Sequence, residues 1–321
     1  MKHPTFLIAA HDIRLAWKNS SFLVMLAFFL LLSGVSTILG SLQVHQQMNL
    51  YQDSVALLSS MGKTHLPSPP SLNPLSVSKD FVNYTSMIGA LMAILIGWNG
   101  ISSMKERKAL ILSRPVYRDS LVAGTYLGTA ALLFIITLAS MILVTALTLF
   151  TTNGALSTGE FSRLAVYFFG VWLYLLIFAA LAQLVTVSMK EKHAALLITI
   201  IIWLVFSFLL PQIGDTMDLD NQIPGGFFSY LGLDKGQEQT LLSHFSWYEY
   251  VRDAIEELSV TKHFERFSYA LLNVKPGFAD TTTGMVIAAK ALNFIVLLFT
   301  PVILTITSII IYLRKEMKTN S

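Results

Sequence analysis

Six apolar runs, each long enough to carry a helix through hydrocarbon, constrain this chain more than any other feature. They lie near Ser21–Leu42, Tyr84–Ser103, Leu121–Phe150, Leu164–Ser188, Ala194–Ile213 and Met285–Leu313. A bilayer core about 30 Å thick needs about 20 residues of helix, and backbone in that medium must satisfy its own polar groups. The fold class that follows is an all-α polytopic membrane protein with six transmembrane helices. Only 13% of the residues are charged, against about 25% in soluble domains. No cysteine is present, which excludes disulfides, thiolate nucleophiles, Cys-ligated zinc and iron–sulfur clusters.

The segments between the runs alternate in charge. Residues 1–20, 104–120, 189–193 and 314–321 are short and carry 3, 5, 2 and 3 Lys or Arg, 13 in all. The longer segments carry most of the acid. The positive-inside rule therefore expects both termini in the cytoplasm and residues 43–83, 151–163 and 214–284 outside. The whole of 1–321 reads as one transmembrane domain. Within 1–20, Phe6, Ala10, Ile13 and Trp17 recur at helical spacing with Lys2, Arg14 and Lys18 between them, which predicts an amphipathic helix in the membrane interface. A cleaved secretory signal is the rival reading. It fares poorly because Ser21–Leu42 is too long and no small-residue cleavage site precedes a soluble chain.

Outside the spans, four prolines within Leu66–Pro74 predict a stiff, extended stretch, and 151–163 reads as a short turn. In 214–284, Phe245, Tyr248, Val251, Ile255 and Leu258 follow an i, i+3, i+4 rhythm, as do Phe264, Phe267 and Leu271. One or two amphipathic helices are expected there. Trp247, Tyr248, Phe264 and Phe267 are expected to pack them onto the membrane or onto residues 43–83, so that Phe264→Asp with Phe267→Asp would spare the six spans.

The segment Lys105–Gly124, KERKALILSRPVYRDSLVAG, joins two apolar runs. Pro115 lacks a backbone donor and pushes Arg114 towards extended geometry, so a helix must end near Ser113. Asp119 and Ser120 are suited to cap the next one. Glu106-Arg107, Leu110-Ile111-Leu112-Ser113-Arg114-Pro115-Val116-Tyr117-Arg118 and then Gly124 resemble the first cytoplasmic loop of ABC-2 type permeases. The likeness is greatest to the branch containing the permease of the nitrous oxide reductase maturation transporter. Thr125 stands where that branch has a basic residue, and its Gly-Thr before the Leu-rich run is missing. The resemblance implies an ATPase-coupling element formed by Glu106, Leu110, Leu112, Ser113, Arg114, Pro115, Val116 and Arg118. It also implies two separate ABC ATPase subunits that bind ATP and Mg, and a second permease copy or homologue. An external accessory protein and membrane lipids complete the implied partners, in a prokaryotic cytoplasmic membrane. No cofactor in this chain and no nucleic acid are expected.

Other motifs have plainer readings. Gly62-Lys63-Thr64 lacks the earlier glycine of a phosphate loop, Leu57 standing in its place. The seven histidines are scattered, and His244 and His263 read as surface residues rather than zinc ligands. Asp215, Asp218 and Asp220 fail the calcium-loop pattern and read as solvated acids. The methionines are dispersed, with no Met-x-x-Met cluster to hold copper. Asn19-Ser20-Ser21 and Asn83-Tyr84-Thr85 match the glycosylation pattern but sit at membrane edges. Asn99, Gln183 and Asn293 lie in or near spans and serve either helix packing or a substrate path, packing being the plainer role. Pro301, inside the last run, predicts a kink. Lys290, near the outer end of that run, is placed to snorkel to the interface.

Two function classes follow. One is the permease subunit of an ATP-driven exporter or extractor. The other is a non-transporting sensor or assembly scaffold that binds a cytoplasmic partner, and copurification of an ATPase separates them. A membrane-embedded enzyme is a distant third, since the spans hold no convergent His, Asp, Glu or nucleophile set.

Overall fold

The apolar runs form helices, and the charged and Pro-bearing segments between them set where those helices stop. The computed structural model describes residues 4–62, 73–112, 118–152, 156–218, 227–274, 277–278 and 281–319. Its helices are α1 Pro4–Lys18, α2 Ser20–Ser60, α3 Lys79–Tyr84, α4 Ala90–Leu112, α5 Arg118–Thr152, α6 Thr158–Ser188 and α7 Lys192–Leu204. They continue as α8 Leu210–Met217, α9 Phe227–Tyr230, α10 Lys235–His244, α11 Ser246–Glu257, α12 Val260–Leu271, α13 Thr283–Ala289 and α14 Ala291–Thr319. A 3₁₀ turn, Pro74–Ser78, leads into α3. Two π-helical turns interrupt spans, Thr85–Gly89 between α3 and α4 and Val205–Leu209 between α7 and α8.

Among the described residues no strand occurs, and six helical runs are long and apolar enough to cross a membrane: Ser20–Ser60, Pro74–Arg107, Asp119–Thr151, Thr158–Ser188, Lys192–Met217 and Ala291–Lys315. Asn19 starts the first of them as an N-cap, its Oδ1 accepting from Ser21 N at 3.0 Å. A capping box of Ser157 and Glu160 starts α6.

Several boundaries move from the sequence reading. Helix α2 runs past Leu42 to Ser60 and at 41 residues is about 62 Å long, so the first part of 43–83 is helix. Of the proline-rich stretch, residues 63–72 lie outside the described residues, and Pro74 opens the 3₁₀ turn. The turn expected at 151–163 is shorter, since α5 reaches Thr152 and α6 begins at Thr158. The last span starts at Ala291. Met285 belongs to α13, which Thr282 caps and which ends at Lys290. No Gly or Pro marks that break; the one charge in the apolar run does, and its Nζ lies 6.0 Å from the Phe278 ring centre.

Helix α6 is the axis of the bundle. It is apolar on every side and buried along most of its length, as a helix enclosed by others must be. Helices α4, α5, α7, α12 and α14 all pack on it. Contact with α4 is closest at Gly97, where a Cβ would stand 2.4 Å from the Ala179 carbonyl oxygen; small residues let helices approach in this way in membranes. Gly124 does the same for α1, a Cβ there falling 2.8 Å from Ile8 Cβ. The outer helices keep exposed apolar faces, including Val24 and Phe28 on α2, Leu197 and Ile201 on α7, and Phe299 and Ile303 on α14. Such faces suit lipid rather than water.

Helices α11 and α12 form a hairpin that turns back into the bundle. Arg252 of α11 pairs with Asp218 at 3.7 Å, and Glu256 packs on Gly214, so α11 runs antiparallel to α8. At the turn, Ser259 Oγ donates to the Phe206 carbonyl at 2.7 Å. Counting back from Met217 to Phe206 puts the turn about 16 Å inside the end of that span. On the return, Phe264 stacks on Tyr174 (4.3 Å, 19°) and Phe267 on Phe294 (5.4 Å). Tyr174 Oη donates to the Ser86 carbonyl at 2.8 Å and lies 3.0 Å from Thr261 Oγ1. Ser86 and Phe206 both belong to π turns, where the regular ladder is interrupted and backbone groups need other partners. The hairpin meets both places.

This arrangement corrects three expectations. Phe264 and Phe267 are fully buried against spans, so charging them acts on the spans themselves, although α12 also packs on α3 within residues 43–83, with Tyr269 Oη donating to Asn83 Oδ1 at 2.8 Å. Trp247 is 76% exposed and Tyr248 is half open, because α11 turns its ionic face to α8. His263 is no surface residue: it is 3% exposed, with Nδ1 2.8 Å from Asn293 Oδ1 and Nε2 3.0 Å from the Glu257 carbonyl oxygen.

Candidate functional site

The sequence-predicted coupling residues sit where α4 gives way to α5. Helix α4 ends at Leu112 and α5 begins at Arg118, close to the breaks that Pro115 and Asp119 predict; the Asp119 carboxylate accepts from Ser120 N at 2.8 Å. Ser113, Arg114, Pro115 and Val116 lie outside the described residues, as do the side chains of Leu110, Leu112 and Arg118. Glu106, one and a half turns before the end of α4, is described, and it forms an ion pair with Lys192 at the start of α7.

The residues flanking Glu106 are tied as well. Lys105 Nζ donates to the carbonyls of Thr186 at 2.6 Å and Met189 at 2.9 Å. Lys315, from α14, donates to the carbonyls of Val187, at 3.1 Å, and Ser188. The last four carbonyls of a helix have no partner within it, and the macrodipole favours a cation there. Two lysines from two other helices meet both needs of α6. Arg107 reaches the other way: its Nη2 donates to Asp12 Oδ1 at 3.1 Å, its Nη1 lies 3.0 Å from His11 Nδ1, and its Nε donates to the Ser103 carbonyl. Trp98 Nε1 adds a bond to the Lys192 carbonyl at 2.9 Å. The foot of α4 is thereby fixed to α1, α6 and α7.

Read by sequence, these cations are topology signals, and their pairings went unpredicted. One signal was present: Asp12 is the only acid in 1–20, and Glu106 is the only one in 104–118. A lone acid among cations in an apolar chain is a partner-seeking group.

The polar groups within spans take separate places. Gln183 Nε2 donates to Thr129 Oγ1 at 2.9 Å, joining α6 to α5, while Asn293 meets His263 and joins α14 to α12. Pro301 is buried in α14, and its carbonyl accepts from Thr305 Oγ1 at 2.7 Å. Asn99 lines a cavity of about 100 Å³ with Asp12, Asn19, Ser21, Ser103 and Arg107. Among the described residues no group of three or more His, Asp or Glu is placed to hold a metal ion.

At the opposite end of the bundle the hairpin is fastened by ion pairs: Lys262 to Asp215 at 2.6 Å, Arg266 to Glu256 at 2.6 Å, and Arg252 to Glu249 at 2.7 Å. Asp215 and Asp218, read from sequence as solvated loop acids, are docking partners here. Burial beside this network raises the Glu265 carboxyl to a pKa of about 7, with Asp215 and Glu256 adding to the rise and Lys262 opposing it.

Six apolar helical runs, a hairpin folded back among them and a cation-rich foot define a multi-pass α-helical membrane protein. The chain belongs to the ABC-2 transporter family: the family model for ABC-2 family transporter proteins matches residues 6–317, nearly its whole length. Among curated proteins none matches it.

Proposed function

We propose that this chain is the permease subunit of an ATP-driven exporter or extractor, driven by separate ATPase subunits that dock on residues 105–124. Two such subunits bind ATP and Mg, and a second permease copy or homologue completes the pathway. Both termini and the α4–α5 connection face the cytoplasm, and α1 lies along that interface. The family membership supports the permease role, and the wording of 106–118 supports the nitrous oxide reductase maturation branch. The observation that carries the coupling reading is the foot of α4. A connection joined rigidly to α1, α6 and α7 through Arg107, Lys105 and Glu106 converts a push on residues 113–117 into movement of the bundle. A mere topology signal needs no such fastening.

In this reading Leu110, Leu112 and Val116 enter a groove on the ATPase, Arg114 and Arg118 pair with acids at its rim, and Pro115 holds the bend. Central anchors commonly carry about 2 kcal/mol or more, and rim charges less. Co-purification of the ATPase with the tagged chain tests this. Val116→Asp releases the ATPase or uncouples its hydrolysis from transport, and Arg118→Ala has a smaller, salt-sensitive effect. Full ATPase binding together with full transport in Val116→Asp reduces the segment to a topology signal.

A further inference from the structure

We infer that helix α11 lies in the lipid leaflet opposite the foot of α4, the outer one in the proposed orientation, with a stripe of Trp247, Tyr250, Ala254 and Leu258 against lipid. The four residues follow i, i+3, i+7, i+11 spacing and so share one side of the helix. Trp247, Tyr250 and Leu258 are 76%, 69% and 62% exposed, and Ala254 is exposed with them. The charges on the other side are the covered ones: the side chains of Glu249, Arg252 and Glu256 are 18%, 20% and 14% exposed. Arg252 pairs with Glu249 and Asp218, and Glu256 pairs with Arg266. A helix in water turns its charges outward and buries its apolar stripe. Helix α11 does the reverse. That arrangement suits hydrocarbon, where ionisable side chains face the protein and pair with one another. Two carboxylates flank the stripe, Asp253 and Glu257, and each is held by an arginine, Arg252 and Arg266 respectively.

Depth selects lipid over a second protein surface. Ser259, next to Leu258, donates to the Phe206 carbonyl, and Phe206 lies seven residues before Ile213, after which Gly214, Asp215 and Thr216 end the apolar run. Seven residues of helix rise about 10 Å, so Leu258 stands about that far inside the apolar zone. Tyr250 and Trp247 lie about 12 and 16 Å back along α11, which brings both rings to the level of the headgroups. Trp and Tyr concentrate at that level, and aliphatic side chains belong beneath it. The stripe passes from two aromatics to Ala and Leu in the same order. A protein partner requires no such order. Helix α8, which packs on α11, and the π turn before it expose Phe208, Leu209 and Ile213, so the stripe extends an apolar surface that the spans already present to lipid. The inference needs only that the chain spans a membrane, and neither ATPase docking nor orientation enters it.

Spin labels read this directly in the full chain reconstituted into phosphatidylcholine vesicles. The chain has no cysteine, so Trp247→Cys, Ala254→Cys and Leu258→Cys each carry one nitroxide. Oxygen concentrates among acyl chains and a neutral nickel chelate stays in water, so the ratio of their collision rates with the label measures depth. That ratio should rise from position 247 through 254 to 258. At 258 it should exceed by at least several-fold the ratio for Ser54→Cys, on the exposed distal part of α2. Ala254→Cys carries the same comparison if the Leu258→Cys protein does not reconstitute. Ratios at 254 and 258 no higher than at 54 would put the stripe in water and overturn the proposal. Low collision with both reagents, accompanied by dipolar broadening between labels, would put a second copy on the stripe and overturn the lipid assignment. Low collision with both and no broadening would mean that the chain itself covers the stripe, which overturns it equally.

Discussion

The hairpin gives the most quantitative prediction. Phe264 is fully buried, stacked on Tyr174 at 4.3 Å in the wall of α6. Phe→Ala at such a site costs about 3–5 kcal/mol, transfer and cavity together. Phe264 joins the hairpin to a span, so the loss falls mainly on docking of α12 rather than on the span helices. Each 1.4 kcal/mol is a factor of ten, so the undocked fraction rises at least about a hundredfold. Ser268 reports it. It is fully buried on α12 with a hydroxyl that has no partner among the described residues, and the chain has no native cysteine, so Ser268→Cys is a single buried thiol. When opening and closing are fast relative to modification, the labelling rate follows the open population. Phe264→Ala in that background should speed maleimide labelling by about two orders of magnitude or more. Trp247→Ala, at a position 76% exposed, should change it less than about threefold, as surface substitutions do. If Phe264→Ala also labels within about threefold of its parent, the stack does not hold the hairpin and the packing argument is wrong.

Three further outcomes are expected. Lys105→Met and Lys315→Met each cost about 1.5 kcal/mol by uncapping α6, and together more than their sum because they serve one helix end; an unchanged melting temperature in the double variant would contradict the cap. The carboxyl of Glu265 is raised to about 7 in the folded chain from an ordinary 4.5. Its contribution is therefore full below the unfolded value and lost as pH rises through the folded one; stability of the unaltered protein should fall between about pH 5 and 8, and a Glu265→Gln protein that declines equally would refute this. Single cysteines at Arg118 and Lys192 should resist an impermeant thiol reagent in sealed cells, whereas cysteines at Gln52 and Tyr250 react; the reverse pattern would invert the proposed orientation.

Much of the fold was legible because lipid leaves so few solutions. The hydropathic length of each run fixed the six spans, Pro115 with Asp119 fixed the α4–α5 break, and the apolar rhythm of 245–271 announced α11 and α12. Their packing partners were not legible. Phe264 and Phe267 read as interfacial because amphipathicity shows that a face is buried, not what buries it. The answer needed Gly170 and Tyr174 on another helix. His263 looked exposed for the same reason, its partner Asn293 lying thirty positions away. The π turns carry no composition signal, and Lys105 and Lys315 resemble every other membrane-flanking cation until the end of α6 is seen between them.

The two π turns have a consequence for how this chain tolerates changes in length. Each holds one residue more than a regular helix needs at that level, and each residue of an α-helix advances its side chains by about 100°. Deleting one residue from Val205–Leu209 would restore an unbroken helix and recover its backbone bonds. It would also rotate everything beyond Leu210 by more than a quarter turn, carrying Gly214 and Asp215 away from Glu256 and Lys262. The same deletion in Thr85–Gly89 would turn one half of that span against the other, and Phe81 would no longer face Phe29 and Phe168 while Gly97 faces Ala179. Angular phase along these helices is therefore set by the count of residues, so a relative that keeps every contacting side chain but lacks one of the extra residues would need a different hairpin.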